Sequence, residues 1–354
     1  MIITRTPFRI SFFGGGTDYP AWYRNHGGAV LVTTINKYCY LSCRYLPPFF
    51  EHNFRVVYIK SENCASIEEI SHPAVRGILG YLKWQRGLEI HHDADLPARG
   101  GMGSSSAFTV GLLHALYGLR SQLVSKHALS DQSIHIEQNI LQETVGSQDQ
   151  IAAAYGGLNE VSFHTNGGFT VTPMTISAAR VRELESHLML FYTGIQRTAS
   201  DVAKSYVEDI ERRAEQLNEL TLLLKQSVSL LHSGDDIEEF GRMLDKAWSL
   251  KRSWSKVVSN NFVDDLYARA KSAGALGGKI NGAGGGGFML LFVPPPKQNE
   301  VRQALASTIH VPFRFESTGS QIIFYDQQED FSSIDPTGTA QPARSFRDLD
   351  ALQT

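Results

Sequence analysis

Three glycine-rich stretches hold the residues whose types and spacing could do chemistry. The middle one reads Asp95-Leu96-Pro97-Ala98-Arg99-Gly100-Gly101-Met102-Gly103-Ser104-Ser105-Ser106-Ala107 and runs straight into a segment of helical period. A glycine loop that opens a helix presents unpaired N–H groups and the positive end of the helix dipole, and both favour a phosphate. Glycine lets the backbone approach the anion with no Cβ in the way. Ser104, Ser105 and Ser106 add hydroxyl donors and an oxygen that could ligate Mg²⁺. The Gly-Lys-Ser/Thr of a Walker loop is missing, as is the spacing of a dinucleotide fingerprint. Taken alone, the stretch also reads as a plain capped helix after a loop.

The third stretch is Lys279-Ile280-Asn281-Gly282-Ala283-Gly284-Gly285-Gly286-Gly287-Phe288, flanked by strand-like residues. A hairpin turn needs only one or two glycines. Four in a row predict a backbone surface against a ligand, with a loose turn as the alternative. The first stretch ends a strand in Gly14-Gly15-Gly16 and delivers Thr17 and Asp18. A carboxylate there could bind sugar hydroxyls or cap the next helix.

The elements that must position these loops follow from periodicity. Strands are predicted over 8–13, 29–35, 38–45 and 54–59, where β-branched and aromatic residues alternate. Helices are predicted over 73–85, from 104 through Leu119, over 131–145 with Gly146 as the stop, and over 147–154. The polar segment 165–173 is the expected domain boundary. Beyond it come a strand at 188–192, two long amphipathic helices through Val202 to Leu224 and Ile237 to Trp248, and strands at 278–281, 288–293, 311–315 and 321–325. A helix over 300–307 separates the middle pair. The organisation expected is 1–170, 171–326 and a polar tail, 327–354.

Composition narrows the class. The 354 residues contain 42% hydrophobic and 19% charged residues, enough for a sizeable core. Eleven of the 31 glycines fall in the three stretches, so the excess is local rather than low complexity. A net charge of −3 argues against a protein dedicated to nucleic acid. Three cysteines, Cys39, Cys43 and Cys64, make no disulfide framework and point to a reducing compartment. Cys39 and Cys43 share one face of a strand and read as core. No apolar run approaches the roughly 20 residues that span a bilayer, and no secretory signal is visible, so a cytoplasmic protein is expected. His91-His92-Asp93 looks metal-like, but adjacent strand residues point to opposite faces.

Together the three stretches resemble the motifs of the GHMP kinases. Pro97 to Ser106 is similar to that family's Pro-x-x-x-Gly-Leu-Gly-Ser-Ser-Ala, with Met102 for Leu and Ser106 for Ala. Lys279 to Gly287 matches the C-terminal motif. Gly14 to Asp18 is similar to Gly-Glu-His-Thr-Asp, with Gly15 and Gly16 replacing the polar pair. The resemblance covers about residues 1–326 and implies an α+β, two-domain fold: an N-terminal domain like ribosomal S5 domain 2, then a ferredoxin-like domain with added helices. Within the family the pattern looks most like the branch acting on heptose 7-phosphates, with enzymes acting on fucose sharing much of it.

That resemblance implies transfer of the ATP γ-phosphoryl group to a sugar hydroxyl, with ATP and a small sugar phosphate as partners. It makes Asp149, in Gly146-Ser147-Gln148-Asp149, the catalytic base, and Arg9 the cation beside the transferring phosphoryl. Gly100, Gly101, Met102, Gly103, Ser104, Ser105 and Ser106 would bind the nucleotide. Ser105 and Glu137 would ligate Mg²⁺. Gly16, Thr17, Asp18, Gly284 and Gly285 would face the acceptor, and Arg197 its phosphate. A kinase for a free sugar and a non-catalytic binder of the same fold are the alternatives.

Overall fold

The computed structural model describes residues 1–47, 50–196 and 199–327. The first part of the chain contains β1 (Ile2–Phe13), α1 (Pro20–His26), β2 (Gly28–Tyr45), β3 (Phe54–Val57), β4 (Ser61–Cys64), α2 (Pro73–Tyr81), β5 (Leu88–Ala94), α3 (Ser104–Leu119), α4 (Lys126–His135), α5 (Gln148–Tyr155), β6 (Asn159–Phe163) and β7 (Phe169–Pro173). The second contains α6 (Ala178–Ser186), β8 (Leu188–Tyr192), α7 (Ala199–Val207), α8 (Ala214–Ser233), α9 (Glu238–Arg252), α10 (Asn261–Ser272), β9 (Gly277–Ile280), β10 (Phe288–Phe292), α11 (Gln298–Ala304), β11 (Ile309–His310), β12 (Phe315–Glu316) and β13 (Gln321–Tyr325).

Nine strands build a large sheet in the order β13-β1-β2-β5-β3-β4, with β12 and β6 also on β2 and β7 on β6. A second sheet has the order β11-β8-β10-β9. The long antiparallel ladder of β1 on β2 is interrupted twice, between Pro7 and Phe8 and between Ser11 and Phe13. Proline has no N–H for a ladder bond, which accounts for the first slip. The second is where Lys279 reaches in: its Nζ donates to the Ser11 carbonyl at 2.7 Å and the Phe12 carbonyl at 3.1 Å. A lysine from β9 thus satisfies backbone acceptors at the irregularity that leads into Gly14.

α3 is buried nearly all round, through Phe108, Val110, Leu112, Leu113, Ala115 and Leu116. It lies flush on β1 because Gly111 has no side chain: a Cβ there would come within 2.8 Å of Thr6 Oγ1. Thr4 donates to the Gly111 carbonyl at 3.0 Å, fixing the contact. This packing sets the N-terminus of α3 beside the end of β1. On the other side Phe240 of α9 stacks edge-on against Phe12 and Phe13, at 5.3 and 5.1 Å between centroids. Aromatic pairs of this kind add about 1 kcal/mol each beyond the area they bury.

The long helix expected through Val202 to Leu224 is divided into α7 and α8, with a 3₁₀ turn, Ile210–Arg213, between them. Other expectations differ as well. The helix expected over 131–145 ends at His135 and continues as one π-helical turn, Ile136–Ile140, closed by Leu141 N–H on the Ile136 carbonyl at 2.8 Å. The expected boundary at 165–173 is instead the turn and second strand of the β6–β7 hairpin. Of the strand expected over 311–315 only Phe315 lies in a strand, in β12; residues 311–314 link β11 to β12. β12 and β13, from the second part of the chain, return to pair with β2 and β1. Residues 315–316 and 321–325 therefore belong by hydrogen bonding to the first sheet, and the polar tail expected over 327–354 lies, from 328 on, outside the described residues. Cys39, Cys43 and Cys64 are free and buried, in keeping with a core role.

Candidate active site

Arg9 on β1 and Asp149 in the first turn of α5 meet at the centre of the site. Arg9 Nε donates to Asp149 Oδ1 and Arg9 Nη2 to Oδ2, each at 2.7 Å. Two parallel bonds of this kind fix orientation as well as charge. The remaining arm, Nη1, donates to the Gly101 carbonyl at 2.6 Å, and the Arg9 N–H donates to the Met102 carbonyl at 3.1 Å. The Arg9 side chain is 4% exposed and that of Asp149 25%, so the pair is closed on the guanidinium side and open on the carboxylate side.

The middle glycine loop lies over this pair. Gly101 and Gly103 have φ of 77° and 73°, the left-handed region. A Cβ on Gly103 would stand 3.4 Å from Asp149 Oδ2. Gly103 caps α3 without a side-chain acceptor, although the serines that follow suggested hydroxyl capping. The first-turn N–H groups of Ser104, Ser105 and Ser106 accordingly have no acceptor among the described residues. Such groups suit an anion. Met102 is buried, its sulfur near Asn281 Nδ2 at 3.5 Å, so only its backbone faces the loop.

The three glycine stretches converge, mostly backbone on backbone. A Cβ on Gly101 would be 2.3 Å from the Asn281 carbonyl, and one on Gly287 would be 2.2 Å from the Gly100 carbonyl. The glycines of the third stretch are therefore required by contact with the protein. Gly285 donates its N–H to the Val258 carbonyl at 2.8 Å and accepts from Asn260 Nδ2 at 3.1 Å, while a Cβ on Gly284 would strike Val258. Gly284 and Gly285, expected to face the acceptor, are thus held against residues 258–260.

In the first stretch Thr17 is likewise a clamp. Its hydroxyl sits 2.8 Å from the Gly14 carbonyl and 2.9 Å from that of Ala29, and accepts the Ala29 N–H at 3.1 Å. Its expected contact with the acceptor has no free hydroxyl behind it. Gly16 is pressed by the Trp254 ring, which would lie 2.5 Å from a Cβ. Asp18 is buried and accepts from Gly16 N–H and Gln148 Nε2, both at 2.9 Å. Burial raises its carboxyl above the ordinary range, opposed by the Gly16 donor. A Cβ on Gly146 would fall 1.9 Å from Asp18 Oδ2. Gly146 is thus the residue that lets the chain before Asp149 close over Asp18. Arg197 lies outside the described residues.

Glu137 stands in the π-helical turn and is 1% exposed. Its Oε2 accepts from Ser106 Oγ at 2.9 Å and Gln150 Nε2 at 2.5 Å. Ser105, the expected partner, is exposed; Ser106 makes the contact instead. Burial pushes the Glu137 carboxyl up to about 8, helped by the nearby Glu143. Its Oε1 is buried with no partner among the described residues. A buried carboxylate oxygen left open, next to a serine-rich phosphate loop, fits the hard-oxygen preference of Mg²⁺. His91 and His92 point apart, His91 to Glu89 and His92 to the Phe108 ring.

Residues 70–157 match the GHMP kinases N terminal domain and residues 224–310 the GHMP kinases C terminal domain. The chain belongs to the GHMP kinases. Among relatives of this GHMP kinase is the D-glycero-alpha-D-manno-heptose 7-phosphate kinase of Campylobacter jejuni, 29% identical over 296 residues, 80% of this chain and 86% of that protein. The bifunctional fucokinase/GDP-fucose pyrophosphorylase of Arabidopsis thaliana is 27% identical over 78% of this chain, which spans only 28% of that protein. In fold it is similar to a D-glycero-D-manno-heptose 1-phosphate kinase from Bacteroides thetaiotaomicron, with a TM-score of 0.76 and 24% identity over 92% of this chain and 100% of the other.

Sequence reasoning gave no role to four residues of this GHMP kinase site: Ser11, Gln148, Lys251 and Lys279. Ser11 shares a strand face with Arg9. Gln148 bonds Asp18 one position before Asp149. Lys251 was detectable. It continues the apolar face that runs through Phe240, Leu244 and Ala247 on α9, where a charge is out of pattern.

Proposed function

We propose that this GHMP kinase transfers the γ-phosphoryl group of ATP to the anomeric hydroxyl of a sugar phosphate, D-glycero-D-manno-heptose 7-phosphate, giving the 1,7-bisphosphate and ADP. The observation that carries the reading is the Arg9–Asp149 pair, held under a phosphate-type loop with its carboxylate side open. The likeness to the Campylobacter jejuni heptose kinase supports the choice of acceptor.

Phosphoryl transfer asks for positioning, charge neutralisation and one group to receive a proton. The N–H groups of the α3 first turn and the Gly100–Gly103 backbone hold the nucleotide phosphates. The acceptor hydroxyl sits against Asp149. Its proton passes to the Asp149 carboxylate as the sugar oxygen bonds to the γ-phosphorus and the bond to the bridging oxygen of ADP breaks. Arg9 fixes the carboxylate through both oxygens. Asp18 fixes Gln148, and so the start of α5. Glu137, with Ser105 or Ser106, would hold Mg²⁺; when bound, the ion neutralises phosphate charge. The protein works on small molecules, in the cytoplasm. Among the described residues no helix is long and apolar enough to cross a membrane.

The test is turnover of purified protein with Mg-ATP on hexoses, heptoses and their phosphates, followed by ³¹P NMR of the product. A new anomeric phosphate on the heptose 7-phosphate is expected. Turnover confined to free sugars such as L-fucose, the reading favoured by the Arabidopsis thaliana relative, would overturn the acceptor assignment. Nucleotide binding with no transfer to any acceptor would overturn the catalytic one.

A further inference from the structure

Lys251 is only 7% exposed, yet among the described residues it has no carboxylate within ion-pair distance. Buried ammonium groups are ordinarily paired. The Lys251 Nζ donates to one acceptor, the Gly282 carbonyl at 2.6 Å, with the Trp254 ring centre 6.0 Å away. An ammonium has three donors, and two of these have no acceptor among the described residues.

The charges around it do not cancel. Arg9 is matched by Asp149. Lys279 is taken up by the Ser11 and Phe12 carbonyls. Asp18 is occupied by Gly16 and Gln148, and burial favours its neutral form. Lys251 and Lys279 are thus both buried cations with no carboxylate beside them among the described residues; Lys251 has the fewer acceptors, and burial lowers it to about 8. An anion brought to it would restore its full charge.

Gly14, Gly15, Lys251 and Lys279 line one small pocket, walled otherwise by Phe12, Phe13, Leu220, Ala247 and Trp248. Gly15 is the one glycine of the first stretch whose Cβ would meet nothing closer than Ser11 Oγ at 3.8 Å and Gln148 Nε2 at 3.9 Å, and its φ is ordinary. Ser11 Oγ and Gln148 Oε1 are both buried without a partner among the described residues. A donor or acceptor left open in this way costs roughly 1–3 kcal/mol unless something completes it. Two unpartnered polar atoms near Gly15, and a buried cation with one acceptor on the pocket that Gly15 lines, point to a polar, anionic ligand.

We propose that Lys251 recognises the phosphate carried by the acceptor sugar, that Gly15 leaves the space for it, and that Ser11 and Gln148 bind the adjoining sugar hydroxyls. The assignment rests on the reading of the chain as a sugar-phosphate kinase. Lys251 sets specificity here; proton transfer stays with Asp149.

The experiment compares wild type and Lys251→Met on the 7-phosphorylated heptose and the same heptose without phosphate, measuring kcat and KM for each with melting temperature as the folding control. The ratio of kcat/KM for the two acceptors is expected to fall roughly 10- to 100-fold in the variant, mostly through KM of the phosphorylated sugar. An equal loss of kcat on both acceptors would mean that Lys251 serves the transferring phosphoryl group, and would overturn the proposal. An unchanged ratio would overturn it too. Gly15→Asp is the second arm, because it puts a carboxylate next to Lys251 at a position with space. It is expected to raise KM for the phosphorylated sugar more than for the free one, and an equal rise counts against the proposal. A wild-type enzyme with no preference for the phosphorylated heptose would bring down the acceptor assignment itself, and the role of Lys251 with it. A wild-type preference that both variants keep would bring down only the latter.

Discussion

Arg9 grips both carboxylate oxygens of Asp149 at 2.7 Å while its third arm holds the Gly101 carbonyl. One side chain therefore ties the proposed base to the phosphate loop. A lysine keeps the charge but has no planar fork, so it cannot serve three acceptors in these directions. Arg9→Lys is expected to lower kcat about 10- to 100-fold with a smaller change in KM for ATP. Steady-state kinetics on the variant check this. Unchanged kcat would mean that the fork does not position Asp149.

The glycines separate into those the fold needs and one it does not. Gly101 has φ of 77° and its Cβ would lie 2.3 Å from the Asn281 backbone, so Gly101→Ala must push two loops apart. A loss of about 2 kcal/mol or more is expected, with weaker ATP binding. Gly15→Ala meets only contacts of 3.8 and 3.9 Å and is expected to leave the melting temperature nearly unchanged while altering acceptor KM. Thermal melts of the two variants, side by side, decide the matter.

Glu137 makes stability depend on pH. Its carboxyl is raised by burial from an ordinary 4.5 to about 8 in the folded chain. Between those values the unfolded chain releases a proton that the folded chain keeps. The contribution is therefore fully present below about 4.5 and is lost as pH rises through about 8. Glu137→Gln removes this dependence, so the melting curves of wild type and variant should diverge toward alkaline pH, the variant becoming relatively more stable by an amount on the order of a few kcal/mol. The same variant is expected to lose most Mg²⁺-dependent turnover. Parallel melting curves from pH 5 to 9 would contradict the assignment.

Much of the fold was legible because its signals are local. β8 spans the same five residues, 188–192, as the apolar run that predicted it, and α3 follows the helical spacing of Phe108, Leu112 and Leu116. The π-helical turn at Glu137 was not legible, since its apolar spacing differs little from that of an α-helix; after it the Glu143 N–H returns to the Glu137 carbonyl at 2.9 Å. The return of β12 and β13 to the first sheet is a long-range pairing that no local pattern announces.

The site shows the same division. Arg9, Asp149 and the loop at Gly100 to Ser106 were found through motifs, and the structure brings them together. Glycine content suggested that Gly284 and Gly285 served a ligand, but a glycine required by a neighbouring backbone looks the same in sequence as one required by a phosphate. Lys279 was noted as the first residue of a motif but its role was not legible, because the irregularity of β1 that it satisfies depends on register rather than on residue type.

Asp149→Asn tests the central claim most directly. Asparagine keeps one acceptor oxygen for Arg9 and nearly the same shape, but it cannot take the proton. Turnover on the best acceptor should fall about 10²- to 10⁴-fold, with folding and ATP binding retained. Near-wild-type turnover in a folded, ATP-binding variant would contradict the account.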